Sequence, residues 1–236
     1  MNSHPAEFVC PRCGPIPRDG VNPYHAGLKK PGFTLCPVLP TCVSCGAEVA
    51  CHVDGARYEG RRGVVLTGTC ASGKTTVAEA LVARHGFGAI DGDCVMDAVR
   101  HRHGLTRFGY NGPEMVAEIA CEVDILLALG YDVVISHVIL SADLDVYREI
   151  LQARGVNYCM VLLRPDIDTA LARSRERTCF GSVTPEKWVR YFHDDLAVLE
   201  RQAYDGRIAD DLIVLDNSER AAGDVVDEIL RRCGRR

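Results

Sequence analysis

From Val64 to the C-terminus the chain alternates short, continuously apolar runs with longer stretches whose apolar residues return once per helical turn. The short runs predict five strands: Val64–Thr67, Phe87–Ile90, Asp132–Ser136, Tyr158–Leu163 and Leu212–Leu215. They are rich in Val, Ile and Leu without polar alternation, as strands buried on both faces should be. The helical stretches cover Thr76–Arg84, with Val77 and Leu81 one turn apart, and a segment from Asp93 to about Arg102. Next come Glu114–Leu129, stopped by Gly130, and Asp143–Arg154, stopped by Gly155. The last three are Asp166–Thr178, a helix opened by Thr184-Pro185 and running to Tyr204, and Ala222–Arg231. His103–Pro113 is turn-rich, and Thr178–Val183 reads as a mobile loop. Strands joined by helices predict an α/β fold with a five-stranded, doubly wound parallel sheet.

The pattern changes before Tyr58. Residues 1–57 are rich in Pro, Gly and Cys and carry two knuckles, Cys10-Pro11-Arg12-Cys13-Gly14 and Cys42-Val43-Ser44-Cys45-Gly46. Each knuckle sets two thiolates on one tight turn. Together Cys10, Cys13, Cys42 and Cys45 supply the four soft ligands of a structural Zn²⁺ site. Cys36, Cys51 and His52 are further donors that could replace a knuckle ligand or build a second site. So small a segment has too few apolar residues to fold unaided, and metal would supply much of its folding energy. The expected organisation is a zinc-ribbon-like module over 1–57, a polar joint at Tyr58–Gly63, and a second domain over 63–236.

Composition narrows the class. Apolar residues make up 47% of the chain, ample for a core, and the net charge is −5. That balance argues against a dominant nucleic-acid or anionic-membrane surface. Even residues 1–62 hold seven Lys/Arg against five Asp/Glu, a weak footprint for a zinc ribbon on nucleic acid. No apolar run approaches the roughly 18 residues that span a bilayer, and MNSHPAEFVC lacks a signal-peptide layout. The expected location is the cytoplasm, and the six cysteines outside the first 51 residues read as separate buried thiols in a reducing compartment.

The chemistry centres on Gly68-Thr69-Cys70-Ala71-Ser72-Gly73-Lys74-Thr75, a Walker A phosphate-binding loop between a predicted strand and a predicted helix. Its glycines let successive backbone N–H groups turn toward phosphate oxygens, and the helix presents its N-terminus, opened by Lys74, Thr75 and Thr76, to the same anion. Lys74 would reach the β- and γ-phosphates, and the Thr75 hydroxyl would hold Mg²⁺. The chain is therefore expected to bind ATP.

A second cluster follows the second strand. Asp91-Gly92-Asp93 places two acids beside the loop, one to hold Mg²⁺ water and one to orient an acceptor hydroxyl, or else forms a plain turn with a helix cap. Arg173 and Arg177 share a helix face ahead of the expected loop and would close over the transferring phosphoryl group, while Arg175 reads as solvated. His137, after the third strand, reads first as a packed side chain and second as a participant.

Residues 64–232 resemble the small-molecule P-loop kinases. Asp91-Gly92-Asp93, Gly104-Leu105, Gly109-Tyr110 and Ser136-His137-Val138-Ile139 are similar to stretches of adenylylsulfate kinases. Val133–Leu151 and the arginine-bearing helix resemble chloramphenicol-phosphotransferase-like kinases, whose acceptor-orienting aspartate maps to Asp93 or Asp91 and whose acid is replaced here by His137. The resemblance implies nucleotide in the loop with adenine near the last strand, where Asp216-Asn217-Ser218 would form the adenine-side loop. It implies a kinase acting on a hydroxyl of a small metabolite or antibiotic-like compound. An RNA-end kinase using the zinc module, or a non-catalytic ATP-binding switch, are the alternatives, and nothing in the sequence sets the acceptor or the oligomeric state.

Overall fold

The computed structural model describes residues 7–22, 40–53, 55–103, 112–176, 178–179, 182–206 and 212–234. Cys36, Arg177, Gly104-Leu105 and Gly109-Tyr110 lie outside them.

Strands β1 (Glu7–Cys10), β2 (Gly14–Ile16) and β5 (Ala50–His52) form an antiparallel sheet in the order β2-β1-β5, and β3 (Val21–Asn22) pairs with β4 (Thr41–Cys42). Each CxxC knuckle turns a chain segment at one end of these ribbons. Among the described residues, the apolar side chains of this module share their core with the rest of the chain. Phe8, Cys10, Val21, Cys42 and Val49 pack with Ile125 and Leu129, which belong to the second half of the chain.

The predicted joint is tied down as well. Tyr58 donates its N–H to the Arg154 carbonyl, and Arg62 pairs with Asp132 at 2.7 Å.

The main sheet is parallel, in the order β12-β9-β6-β8-β7. Its strands are β6 (Arg62–Thr67), β7 (Gly88–Asp91), β8 (Val133–Ser136), β9 (Asn157–Leu163) and β12 (Leu212–Leu215), matching the five expected from the apolar runs. Alternate residues of one strand serve opposite faces. Val64 and Leu66 of β6 pack toward α1 (Lys74–His85) and α7 (Ala222–Cys233). Val65 points to the other layer, where α2 (Gly92–His103), α3 (Pro113–Ala128), α4 (Leu144–Ala153) and α6 (Glu186–Tyr204) lie. In α3 a stripe of Met115, Ile119, Val123 and Leu126 explains the burial, and Pro113 opens the helix where its missing N–H costs nothing.

Three local expectations are corrected. Within the stretch expected as a loop, β10 (Thr178–Cys179) and β11 (Ser182–Val183) pair antiparallel after α5 (Ile167–Glu176). Pro185 is the extended residue before α6 rather than its first helical residue, and no side chain caps that helix. Cys159 and Cys233 are not separate thiols; they form a disulfide between β9 and the end of α7.

Candidate active site and metal cluster

The phosphate loop connects β6, the central strand, to α1. Gly68 has φ +150°, and a Cβ there would fall 2.5 Å from Ser72 Oγ and 2.6 Å from the Leu163 carbonyl, so only glycine fits. Ala71 adopts φ +61°, a left-handed conformation that costs free energy unless the surrounding loop enforces it. Lys74 is 9% exposed, and its Nζ donates to the carbonyls of Gly68 (2.9 Å) and Thr69 (2.8 Å). Thr75 and Thr76 follow on the first turn of α1. A tight cradle, a helix N-terminus and an ammonium held at its rim fit a polyphosphate.

Other elements brace the loop. The Thr69 hydroxyl donates to the Val189 carbonyl of α6 at 2.8 Å, and Asn217 Nδ2 donates to the Ser72 carbonyl at 2.7 Å. Thr67 exchanges hydrogen bonds with both the N–H and the carbonyl of Ile139, each 3.0 Å, which fastens the chain after β8 to the end of β6. Sequence reasoning missed these contacts, because they join residues far apart in the chain.

Asp91 ends β7 and is buried; its Oδ1 accepts from the N–H groups of Asp93 (2.9 Å) and Cys94 (3.4 Å). It therefore caps α2. Asp93 sits half-buried in the first turn of that helix. Between them Gly92 lies directly under the imidazole of His137, which is 2% exposed. Burial, and then the Lys74 ammonium, hold His137 down to about 3, so the ring is neutral. His137 rests on the Asp91-Gly92-Asp93 turn, and its backbone N–H donates to the Leu66 carbonyl (3.1 Å) near the end of the strand that leads into the phosphate loop.

Arg173 was expected on a lid over the phosphates. Its guanidinium instead donates to the carbonyls of Asn217 (3.0 Å) and Ser218 (2.8 Å). Asp216, Asn217 and Ser218 form a compact turn: the Ser218 N–H and hydroxyl donate to Asp216 Oδ1, and Ser218 Oγ accepts the Asp166 N–H. The Thr169 hydroxyl and N–H hold the Asp166 carboxyl down to about 2. A cavity of about 420 Å³ lined by Ala71, Gly73, Thr76, Arg173, Asn217 and Arg220 opens beside this turn. Asn217 Oδ1 is buried in it with no hydrogen-bond partner among the described residues. Arg175 reaches Glu186 at the surface, and Arg164 turns away to Glu200 and the His193 carbonyl.

In the N-terminal module the sulfurs of Cys10, Cys13, Cys42 and Cys45 all lie within 4.8 Å of one another. Cys10 and Cys45 are 3.5 Å apart, and Cys42 and Cys13 are 3.9 Å apart. Four sulfurs at about 2.3 Å from a tetrahedral Zn²⁺ would be about 3.8 Å from each other, so the cluster fits that ion. The Cys45, Cys10 and Cys42 sulfurs around it push the Cys13 thiol up to about 12. Crowded thiols of this kind lose their protons to a cation rather than to water. Cys51, on β5, is not part of the cluster.

Residues 64–179 match a family described as AAA domain. Among solved structures, a gluconokinase from Sinorhizobium meliloti 1021 is 22% identical, over 76% of this chain and 94% of its own, with a TM-score of 0.51. A sugar kinase from Janibacter sp. HTCC2649 is 20% identical (74% and 95%; TM-score 0.53), and a Deinococcus radiodurans tunicamycin resistance protein 16% identical (73% and 96%; TM-score 0.55). No curated protein matches the chain in sequence. No helix among the described residues is long and apolar enough to cross a membrane. The phosphate loop, the sheet order and these likenesses agree: the chain has the fold of the P-loop kinases, preceded by a zinc-ribbon-like module.

Proposed function

We propose that the protein is an ATP- and Mg²⁺-dependent kinase that transfers the γ-phosphoryl group to a hydroxyl of a small molecule, a metabolite or antibiotic-like compound. The observation that carries this reading is His137, which packs on the acidic turn at Gly92 and lies within the electrostatic reach of Lys74. This supports a phosphate cradle and an acceptor-side carboxylate working together at the carboxyl ends of the strands, where open α/β sheets bind ligands.

In this mechanism the backbone of residues 68–75 and Lys74 bind the phosphates, and the Thr75 hydroxyl holds Mg²⁺. When bound, the ion neutralises charge between the β- and γ-phosphates. Asp93 orients the acceptor hydroxyl. As the new P–O bond forms and the bond to ADP breaks, its carboxylate takes the hydroxyl proton. Asp91, already capping α2, holds Asp93 in place and is the second candidate for that role. Arg177 remains the lid arginine of the proposal, whereas Arg173, with Asp216 and Asn217, serves the base side. Zn²⁺ on the four cysteines is structural. The expected setting is cytoplasmic.

The test is ADP release from MgATP over a panel of hydroxylated compounds, with Lys74→Ala as the blank. One responsive class is expected. Asp93→Asn should lower kcat by about 10²–10⁴, the scale of general-base catalysis, while nucleotide affinity holds. Near-full rate in Asp93→Asn would remove Asp93 from the acceptor role, and ATP binding with silence across the panel would overturn the kinase reading.

A further inference from the structure

A surface helix normally turns charged side chains to water. The first two turns of α6 do so with Glu186, Lys187 and Arg190, but they turn aromatic rings to water as well. Val189 and Phe192 are buried, but Trp188 is 45% exposed and Tyr191 52% exposed. The three rings form one cluster: Trp188 stacks on Phe192 with centroids 6.1 Å apart, and Tyr191 meets Trp188 and Phe192 edge-on at 5.9 and 5.5 Å.

The position of this cluster is set by two contacts. The Val189 carbonyl accepts the Thr69 hydroxyl, so the rings begin within a turn of the phosphate loop. Asp195 lies two turns beyond Trp188 on the same helix face, and its carboxylate accepts the Ser141 N–H (3.0 Å) and hydroxyl (3.3 Å). Ser141 belongs to the segment that begins at His137. The helix face that carries Trp188 and Phe192 thus runs from the phosphate loop to the segment after β8, whose His137 rests on the turn between Asp91 and Asp93. The polar cavity of Arg173 and Asn217 lies on the other side, beside the turn after β12.

The geometry points to Trp188, Tyr191 and Phe192 as the wall of the acceptor site, and to an acceptor that carries a flat, largely apolar ring besides its hydroxyl. This rests on the kinase reading above. Aromatic side chains give large contact area with few rotors to freeze, and they suit rings. An acceptor made only of hydroxyls would be read by buried polar groups, because hydrogen bonds discriminate such compounds far better than an apolar surface does. Lys187 Nζ, 5.6 Å from the Trp188 centroid, leaves one cation at the rim of the wall.

Trp188 is the only tryptophan of the chain, so its emission reads the wall directly. The full-length protein with MgADP is titrated with uridine and thiamphenicol, which carry flat rings, and with gluconate, which has none. At least one ring compound should quench or shift the emission, and gluconate should not. In turnover, Trp188→Ala should raise the KM of the ring-bearing acceptor about tenfold, the scale of one lost ring contact, with kcat and the nucleotide KM unchanged. Trp188→Phe should recover most of that loss.

Emission unmoved by both ring compounds overturns the inference. So does efficient turnover of gluconate, or an unchanged acceptor KM in Trp188→Ala. A concentration-dependent dimer that Trp188→Ala dissolves would also overturn it, assigning the rings to self-association. Quenching by a ring compound with no ADP release from any acceptor would instead sink the kinase reading and leave the wall standing.

Discussion

The imidazole of His137 occupies the space into which any side chain at Gly92 would grow: a Cβ there would lie 2.1 Å from Nδ1 and 2.3 Å from Cγ. Glycine separates the two acids because a ring from the next strand rests on the turn between them. Gly92→Ala should therefore destabilise the protein by about 1–3 kcal/mol, as overpacking does, and should lower turnover by shifting Asp93. In a His137→Ala background the same change should cost less, because the ring is gone and only the Cβ at 137, 2.7 Å away, still stands in the way. Urea denaturation of the four proteins forms a double-mutant cycle, and additive losses would show that the two residues do not meet in solution.

The burial of His137 has a pH signature. Its pKa is held down to about 3 in the fold, against about 6.5 when unfolded, so below pH 6.5 the unfolded chain binds a proton that the folded one refuses. Folding stability should fall with pH through that window and recover toward neutrality. Against His137→Gln, the wild type should lose about 1.4 kcal/mol more per pH unit between pH ~6 and ~4. Parallel stability profiles for the two proteins would mean that His137 is solvated.

Five strands could be read from the amino-acid order because parallel strands buried on both faces are unbroken apolar runs, as in Val64–Leu66 and Met160–Leu163. The phosphate loop was legible because its glycines and lysine are local to one turn. The pairing of Thr178–Cys179 with Ser182–Val183 was not, since strands of two residues are too short to carry a readable period. Helical spacing put Arg173 and Arg177 on one face, but it carries no information on what stands opposite. For Arg173 the neighbours are carbonyls of the turn after β12. The pairing of Gly92 with His137 was equally hidden, although an unexplained glycine between two functional acids was a signal that something approached closely.

The four-cysteine cluster makes a metal prediction with a reach beyond its own module. Phe8 and Val49 pack with Ile125 of α3 and with Leu129 just after it, so loss of the ion should loosen the far end of the helix that follows the acceptor side. The purified protein should hold about one Zn²⁺ per chain by elemental analysis, the stoichiometry of a closed tetrahedral site. Cys42→Ser should lose it and lower the Tm, whereas Cys51→Ser should keep it. Zinc absent from the wild type, or lost from Cys51→Ser, would show that the ligand set is wrong.

Cys159 lies on β9, which pairs with both β6 and β12, and its partner Cys233 ends α7, 74 residues later. The bond pins the last helix to the sheet beneath it and constrains the unfolded chain over that whole length. Breaking it should cost about 2–4 kcal/mol. Cys233→Ser, unfolded in urea without reductant, should show that loss. Dithiothreitol should bring the wild type down to the variant and leave the variant where it was. Because Cys159 is fully buried, the reductant should act slowly on the folded protein, at a rate that rises with urea. A wild type indifferent to dithiothreitol, with both thiols free to alkylation once unfolded, would return these cysteines to the separate buried pair that composition suggested.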